Sequence, residues 1–170
     1  MVDVGLLAPD EPYELIDGEL VYVSPQNPPH ANIIGELNTL LNSAYGSEYR
    51  VRVQVPIGGI ADSIPEPDLA VIRKATVTNT RHPRADETLL IVEVADASVS
   101  EAIGKGGVYS RARARCYWLV DVPRQIVVAH HEPDGEGSWR DRRELGVGET
   151  LTLPELDHVL DVGQLFALPG

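Results

Sequence analysis

The chain has 170 residues, of which 43% are apolar, and a formal net charge of −12. That length fits a single domain, residues 1–170, with one core, and no apolar run is long enough to span a membrane as a helix. The lone cysteine, Cys116, excludes an internal disulfide, no Cys/His cluster has zinc spacing, and the start lacks the basic residues and small-residue cleavage site of a secretory signal, so a cytoplasmic location is expected.

In chain order, Tyr13 to Ser24 reads as a hairpin turning at Asp17-Gly18, a strong tight-turn pair. Pro28 and Pro29 can open a helix, and from His30 to Tyr45 the residues Ile33, Ile34, Leu37, Leu40, Leu41 and Ala44 recur at helical spacing, with Gly46 as the stop. Tyr49 to Ile57 alternates Val51, Val53 and Val55 with polar residues, as a half-exposed strand does. Gly58-Gly59 turns the chain toward a strand at Asp68 to Ile72. Residues 73–87 are polar, basic and aperiodic, a loop length that is often functional. Thr88 to Ala95 is apolar on both faces, as a central strand is.

Ser98 to Ala114 reads as a helix, with Ser98 and Glu101 at capping-box spacing. Tyr117–Val120 and Gln125–Ala129 read as strands joined through Pro123-Arg124, and a third strand surrounds Trp139. Pro154 to Phe166 closes the chain with apolar packing residues. Hairpin, helix, strands, helix, strands describes an α/β or α+β domain: a mixed central sheet flanked by helices.

Two acids stand inside apolar, strand-like runs: Asp68 in Pro67-Asp68-Leu69-Ala70-Val71 and Glu93 in Ile91-Val92-Glu93-Val94. A charge there costs free energy unless it is paired, protonated or bound to a metal. If the two strands are antiparallel neighbours, both carboxylates reach one end of the sheet, where a divalent cation could take oxygens from both and from a backbone carbonyl. Magnesium, with manganese as substitute, suits such a site. It would lower the pKa of a bound water and offset phosphate charge. Lys105, on the following helix, flanks the stripe of Ala102, Ile103 and Tyr109 and could reach that water or a scissile phosphate. Gly104, Gly106 and Gly107 around it suggest close packing or a helix break.

Each residue also has a structural reading. Asp68 could be a strand-entry acid, Glu93 the buried partner of an arginine, and Lys105 the partner of Glu101 one turn back. His30 could touch a phosphate or pack at a helix start, and Glu19, Glu36 and Glu101 could lie behind the site or face solvent. His130 and His131 alternate on a strand and cannot easily share one metal. Tyr109 and Trp118 read as core. The net charge argues against tight nucleic-acid binding, but four of the fourteen basic residues fall between Arg73 and Arg84 and four between Lys105 and Arg115, beside the candidates.

Tyr13-Glu14-Leu15-Ile16-Asp17-Gly18-Glu19-Leu20, Ser24-Pro25 with His30 downstream, Pro65-Glu66-Pro67-Asp68-Leu69-Ala70-Val71, Val92-Glu93-Val94-Ala95-Asp96, Lys105 with Tyr109, and Tyr117-Trp118-Leu119-Val120-Asp121 form an ordered set over nearly the whole chain. This set resembles the putative restriction endonuclease (Uma-type) family of bacterial proteins, a branch of the PD-(D/E)XK nuclease superfamily. The resemblance implies a restriction-endonuclease-like fold with Asp68 and Glu93 as metal ligands, the Val94 carbonyl as a third, and Lys105 as a lysine moved from the superfamily position, where Ala95 stands, onto the next helix. Glu101 replaces a common aspartate four residues before that lysine, and Arg113-Ala114-Arg115-Cys116 replaces a common Gly-Val-Pro-Glu stretch. The expected activity is magnesium-dependent hydrolysis of DNA by a homodimer, with Glu19, His30 and Glu101 as supporting or phosphate contacts. A non-catalytic binding or assembly module on the same fold, and a hydrolase of another phosphate ester, are the alternatives.

Overall fold

The computed structural model describes residues 12–23 and 25–167, so Ser24 of the expected hairpin and loop lies outside the described residues. β1 (Tyr13–Ile16) and β2 (Glu19–Tyr22) form the hairpin, with Asp17 and Gly18 at φ of 47° and 81° in the turn. It is fastened to the segment that leads into Asp68: Ile64 N–H donates to the Leu15 carbonyl, Gly18 N–H to that of Asp62 (both 2.7 Å), and Asp17 N–H to Ser63 Oγ at 2.8 Å.

α1 (Pro28–Tyr45) starts at the two prolines, whose missing N–H groups would lack helical partners in any case. Asn27 caps it, its side chain accepting from His30 N–H at 3.1 Å. Ile33, Ile34, Leu37, Leu41 and Tyr45 form its buried stripe. β3 (Tyr49–Val53) ends four residues before the expected Ile57 because Gln54 adopts φ of 50° and turns its N–H to the Asp68 carbonyl at 3.1 Å.

β4 (Leu69–Arg73), β5 (Thr88–Ala95), β6 (Cys116–Asp121), β7 (Ile126–Pro133) and β8 (Trp139–Gly146) complete a sheet of order β3-β4-β5-β6-β7-β8. All neighbours are antiparallel except β5 and β6, which α2 (Val99–Arg111) connects as the crossover that parallel strands require. Every residue of β5 and β6 is buried, as expected of central strands. Residues 74–76 and 85–87 of the long loop are short 3-10 turns. β9 (Thr150–Thr152), β10 (Val159–Asp161) and α3 (Val162–Phe166) organise the closing segment.

Period-two alternation divides the core. Leu69, Val71, Leu90, Val92, Trp118 and Val120 face α1 and α3. Ala70, Ile91, Ala95, Tyr117 and Leu119 face Ala102 and Tyr109 of α2. His130 and His131 do point apart: His130 lies among the rings of Tyr117 and Trp139, and His131 Nδ1 is 3.2 Å from Cys116 Sγ. Ser98 precedes α2 but its hydroxyl makes no capping bond, so the expected capping box with Glu101 does not form. No helix among the described residues is long and apolar enough to cross a membrane.

Candidate active site

Leu69 pairs with Val92 across β4 and β5, so Asp68, one residue earlier, stands opposite Glu93. By alternation both acids belong to the face that α2 covers, and both are buried. Asp68 Oδ2 accepts Val94 N–H at 2.8 Å and lies 3.2 Å from His30 Nε2, which reaches over from the first turn of α1. In an extended strand a residue's N–H and C=O project to the same edge, so the Val94 carbonyl also faces the Asp68 side.

α2 brings two groups to Glu93. Tyr109 Oη donates to Oε1 at 2.8 Å, and Lys105 Nζ lies 3.4 Å from both carboxylate oxygens. The two residues are four apart, hence neighbours on one helix face. Tyr109 therefore has a core ring and a working hydroxyl, where the sequence suggested core alone. Lys105 has a closer partner that sequence reasoning missed. Glu14 on β1, 5% exposed, holds Nζ with Oε1 at 2.9 Å and Oε2 at 2.7 Å. The signal was present: Glu14 interrupts an apolar strand-like run just as Asp68 and Glu93 do.

The charges are unbalanced. Burial, with Asp68 and Glu14 nearby, pushes Glu93 up to about 8 against the opposing pull of Lys105. Burial alone would lower the Lys105 ammonium, but Glu93, Glu14 and Asp68 together hold its pKa above the ordinary lysine value. The bond to Asp68 outweighs burial and raises His30, with the Val94 backbone and Glu93 adding to the effect. Glu66 is also raised, by burial first and then by Glu14.

These groups line a cleft of about 710 Å³ between the hairpin and the starts of α1 and α2. Among the described residues six acids border it (Glu14, Glu66, Asp68, Glu93, Asp96 and Glu101), and Lys105 is the one lysine or arginine that does. The expected gathering of positive charge is not at the site. Arg81 pairs with Glu87 at 2.7 Å, Arg84 with Asp86 at 3.0 Å, Arg111 with Asp17 at 2.6 Å and Arg115 with Glu155 at 2.7 Å. Glu101 is exposed on the cleft wall and makes no ion pair with Lys105, while Glu19 is exposed, Glu36 is half-buried, and neither borders the cleft. Ile103, expected in the packed stripe, is 62% exposed, and Gly106 takes the buried position beside Ala102 and Tyr109.

A six-stranded mixed sheet with flanking helices, carrying two buried acids at one rim and a lysine on the crossover helix, has the restriction-endonuclease-like nuclease fold. The model of the Uma2 family, described as putative restriction endonuclease, matches residues 4–162, and the chain belongs to that family. The fold is similar to that of a putative nuclease belonging to DUF820 from Anabaena variabilis, with a TM-score of 0.80 and 15% identity over 97% of this chain and 95% of that one. A weaker likeness, TM-score 0.40 and 19% identity, is to the type IIG restriction endonuclease BpuSI, over 71% of this chain and 13% of that one. No curated protein matches the chain.

Proposed function

We propose that this protein is a divalent-metal-dependent endonuclease that hydrolyses phosphodiester bonds in DNA, with magnesium as the ion and manganese as its substitute. The observation that carries the reading is the Asp68–Glu93 pair, facing one side of the sheet rim with Lys105 Nζ 3.4 Å from Glu93. The donor set suits a hard cation. The rim gathers the carboxyl groups of Glu14, Asp68 and Glu93 about one lysine, and magnesium needs only one or two protein carboxylates, keeping waters for the rest.

Asp68 and Glu93 would hold the ion, with the Val94 carbonyl completing the protein share. The chemistry the ion supplies when bound is a more acidic water and charge compensation on phosphate. Tyr109 fixes the Glu93 carboxylate, and Val94 N–H fixes that of Asp68. Lys105 brings an ammonium group to a phosphate oxygen or to the attacking water. His30, 3.2 Å from the same Asp68 oxygen that accepts Val94 N–H, orients that carboxylate. A cytoplasmic homodimer presenting two such sites to the two strands of a duplex belongs to this proposal.

Plasmid nicking with magnesium or manganese tests it. Asp68→Ala, Glu93→Ala and Lys105→Ala are each expected to lose about 10²-fold or more in rate. Equal, negligible nicking by wild type and all three variants overturns the enzyme reading. The acidic cleft favours one second reading, a non-catalytic module on the same fold. Calorimetric magnesium binding that Asp68→Ala abolishes would argue against it.

A further inference from the structure

Glu14 is a nearly fully buried carboxylate that the proposed hydrolysis does not use. It belongs to neither strand that carries the metal-ligand candidates, and it lies 91 residues before the lysine it binds. Both its oxygens embrace Lys105 Nζ, at 2.9 and 2.7 Å, closer than the 3.4 Å to Glu93, and Oε2 has no hydrogen-bond partner beyond that ion contact. Alternation along β1 turns Glu14 and Ile16 to one side of the hairpin and Tyr13 and Leu15 to the other. Glu14 is thus on the hairpin face that meets α2. A second contact, Asp17 with Arg111 at 2.6 Å, grips the same helix from the hairpin turn.

We propose that Glu14 is a positioning residue that fixes the Lys105 ammonium over the Asp68–Glu93 rim, making the β1–β2 hairpin a working part of the site. The inference rests on the nuclease reading for its meaning, but its geometry stands apart from it. A lysine with Glu93 as its sole anion would be drawn onto an acid the cation needs. A separate carboxylate gives Nζ its own seat and leaves Glu93 free to take another partner. Removing Glu14 leaves a flexible four-carbon stem to wander, and small displacements of a catalytic group cost large factors in rate.

The chain has two lysines, Lys74 and Lys105, and Lys74 is exposed. Acetylation of the folded full-length protein, read peptide by peptide in a mass spectrometer, therefore has an internal reference. Glu14→Gln is expected to raise the labelling rate of Lys105 relative to Lys74 by about tenfold, the equivalent of one charge-assisted hydrogen bond. Glu14→Asp should restore part of the protection. Asp17→Asn, which breaks only the exposed pair with Arg111, should change nothing, because the hairpin keeps its backbone bonds. In nicking assays Glu14→Gln should lose about 10²-fold in kcat with KM unchanged.

Unchanged Lys105 labelling in Glu14→Gln overturns the proposal, and so does an equal rise in Asp17→Asn, which would mark a mere structural tie. If wild type nicks DNA in an Asp68-dependent way while Glu14→Gln behaves as wild type, the positioning role fails and the nuclease reading stands. If wild type does not nick, that reading fails and labelling alone decides the role of Glu14.

Discussion

Glu87 and Glu93 are the same side chain in opposite surroundings. Glu87, at the end of the long loop, takes both terminal nitrogens of Arg81 at 2.7 Å and Arg84 N–H at 2.9 Å. Arg81 first, then that backbone bond, pull its pKa down to about 2. Glu93 has one hydroxyl and a shared ammonium, and burial pushes it the other way. A carboxyl depressed from an unfolded value of about 4.3 stabilises the fold above that pH and loses the contribution as pH falls toward 2. Glu87→Gln should therefore be less stable than wild type at pH 7, and the gap should close between about pH 4.3 and 2. Urea unfolding across that range measures it, and a gap constant with pH would show that the loop pairing contributes nothing.

At the scale of elements, α2 shows how glycine position matters more than glycine count. A Cβ on Gly106 would sit 2.7 Å from Cε1 of Tyr117, a buried ring whose hydroxyl is held by the Ala102 carbonyl at 2.8 Å. A Cβ on Gly104 meets nothing. Gly106→Ala should cost about 1–3 kcal/mol through overpacking. Gly104→Ala should gain up to about 1 kcal/mol from helix propensity. Paired thermal melts test this, and similar shifts for the two variants would contradict the packing.

The strongly periodic elements were legible in the sequence. α1 had its proline start, its stripe and its glycine stop, and β5 had eight apolar-run residues that only a covered strand would bear. The antiparallel pairing that sets Asp68 opposite Glu93 was legible as a condition and is met. What escaped reading was non-local. The end of β3 depends on a left-handed Gln54, β9 and β10 are three residues long and show no period, and the Glu14–Lys105 contact joins segments 91 residues apart. The long loop looked like a basic arm, but its arginines are engaged by nearby acids that a count of charges along the chain does not pair.

For the molecule as a whole, charge sets the terms of any encounter with nucleic acid. Eight arginines, between Arg73 and Arg143, already sit on carboxylates, and the net charge is −12. Arg50, Arg52, Lys74, Arg113 and Arg140 make no ion pair among the described residues, but none of them borders the cleft, where Lys105 is the one cation of this kind available to a phosphate backbone. Oligonucleotide binding, measured by anisotropy, should show a log K against log salt slope of about −1 to −2, the mark of one or two phosphate contacts. A slope of about −6 or steeper would reveal a basic track that the fold does not display.

One of the two outermost strands bears on assembly. Among the described residues nothing pairs with the outer side of β8, and the strand carries Arg140, Asp141, Arg142, Arg143 and Glu144 in succession. An identical strand laid antiparallel along that margin, centred on it, would stack arginine on arginine. In that register the charges fence this margin of the sheet against lengthening into a shared ribbon or a fibre.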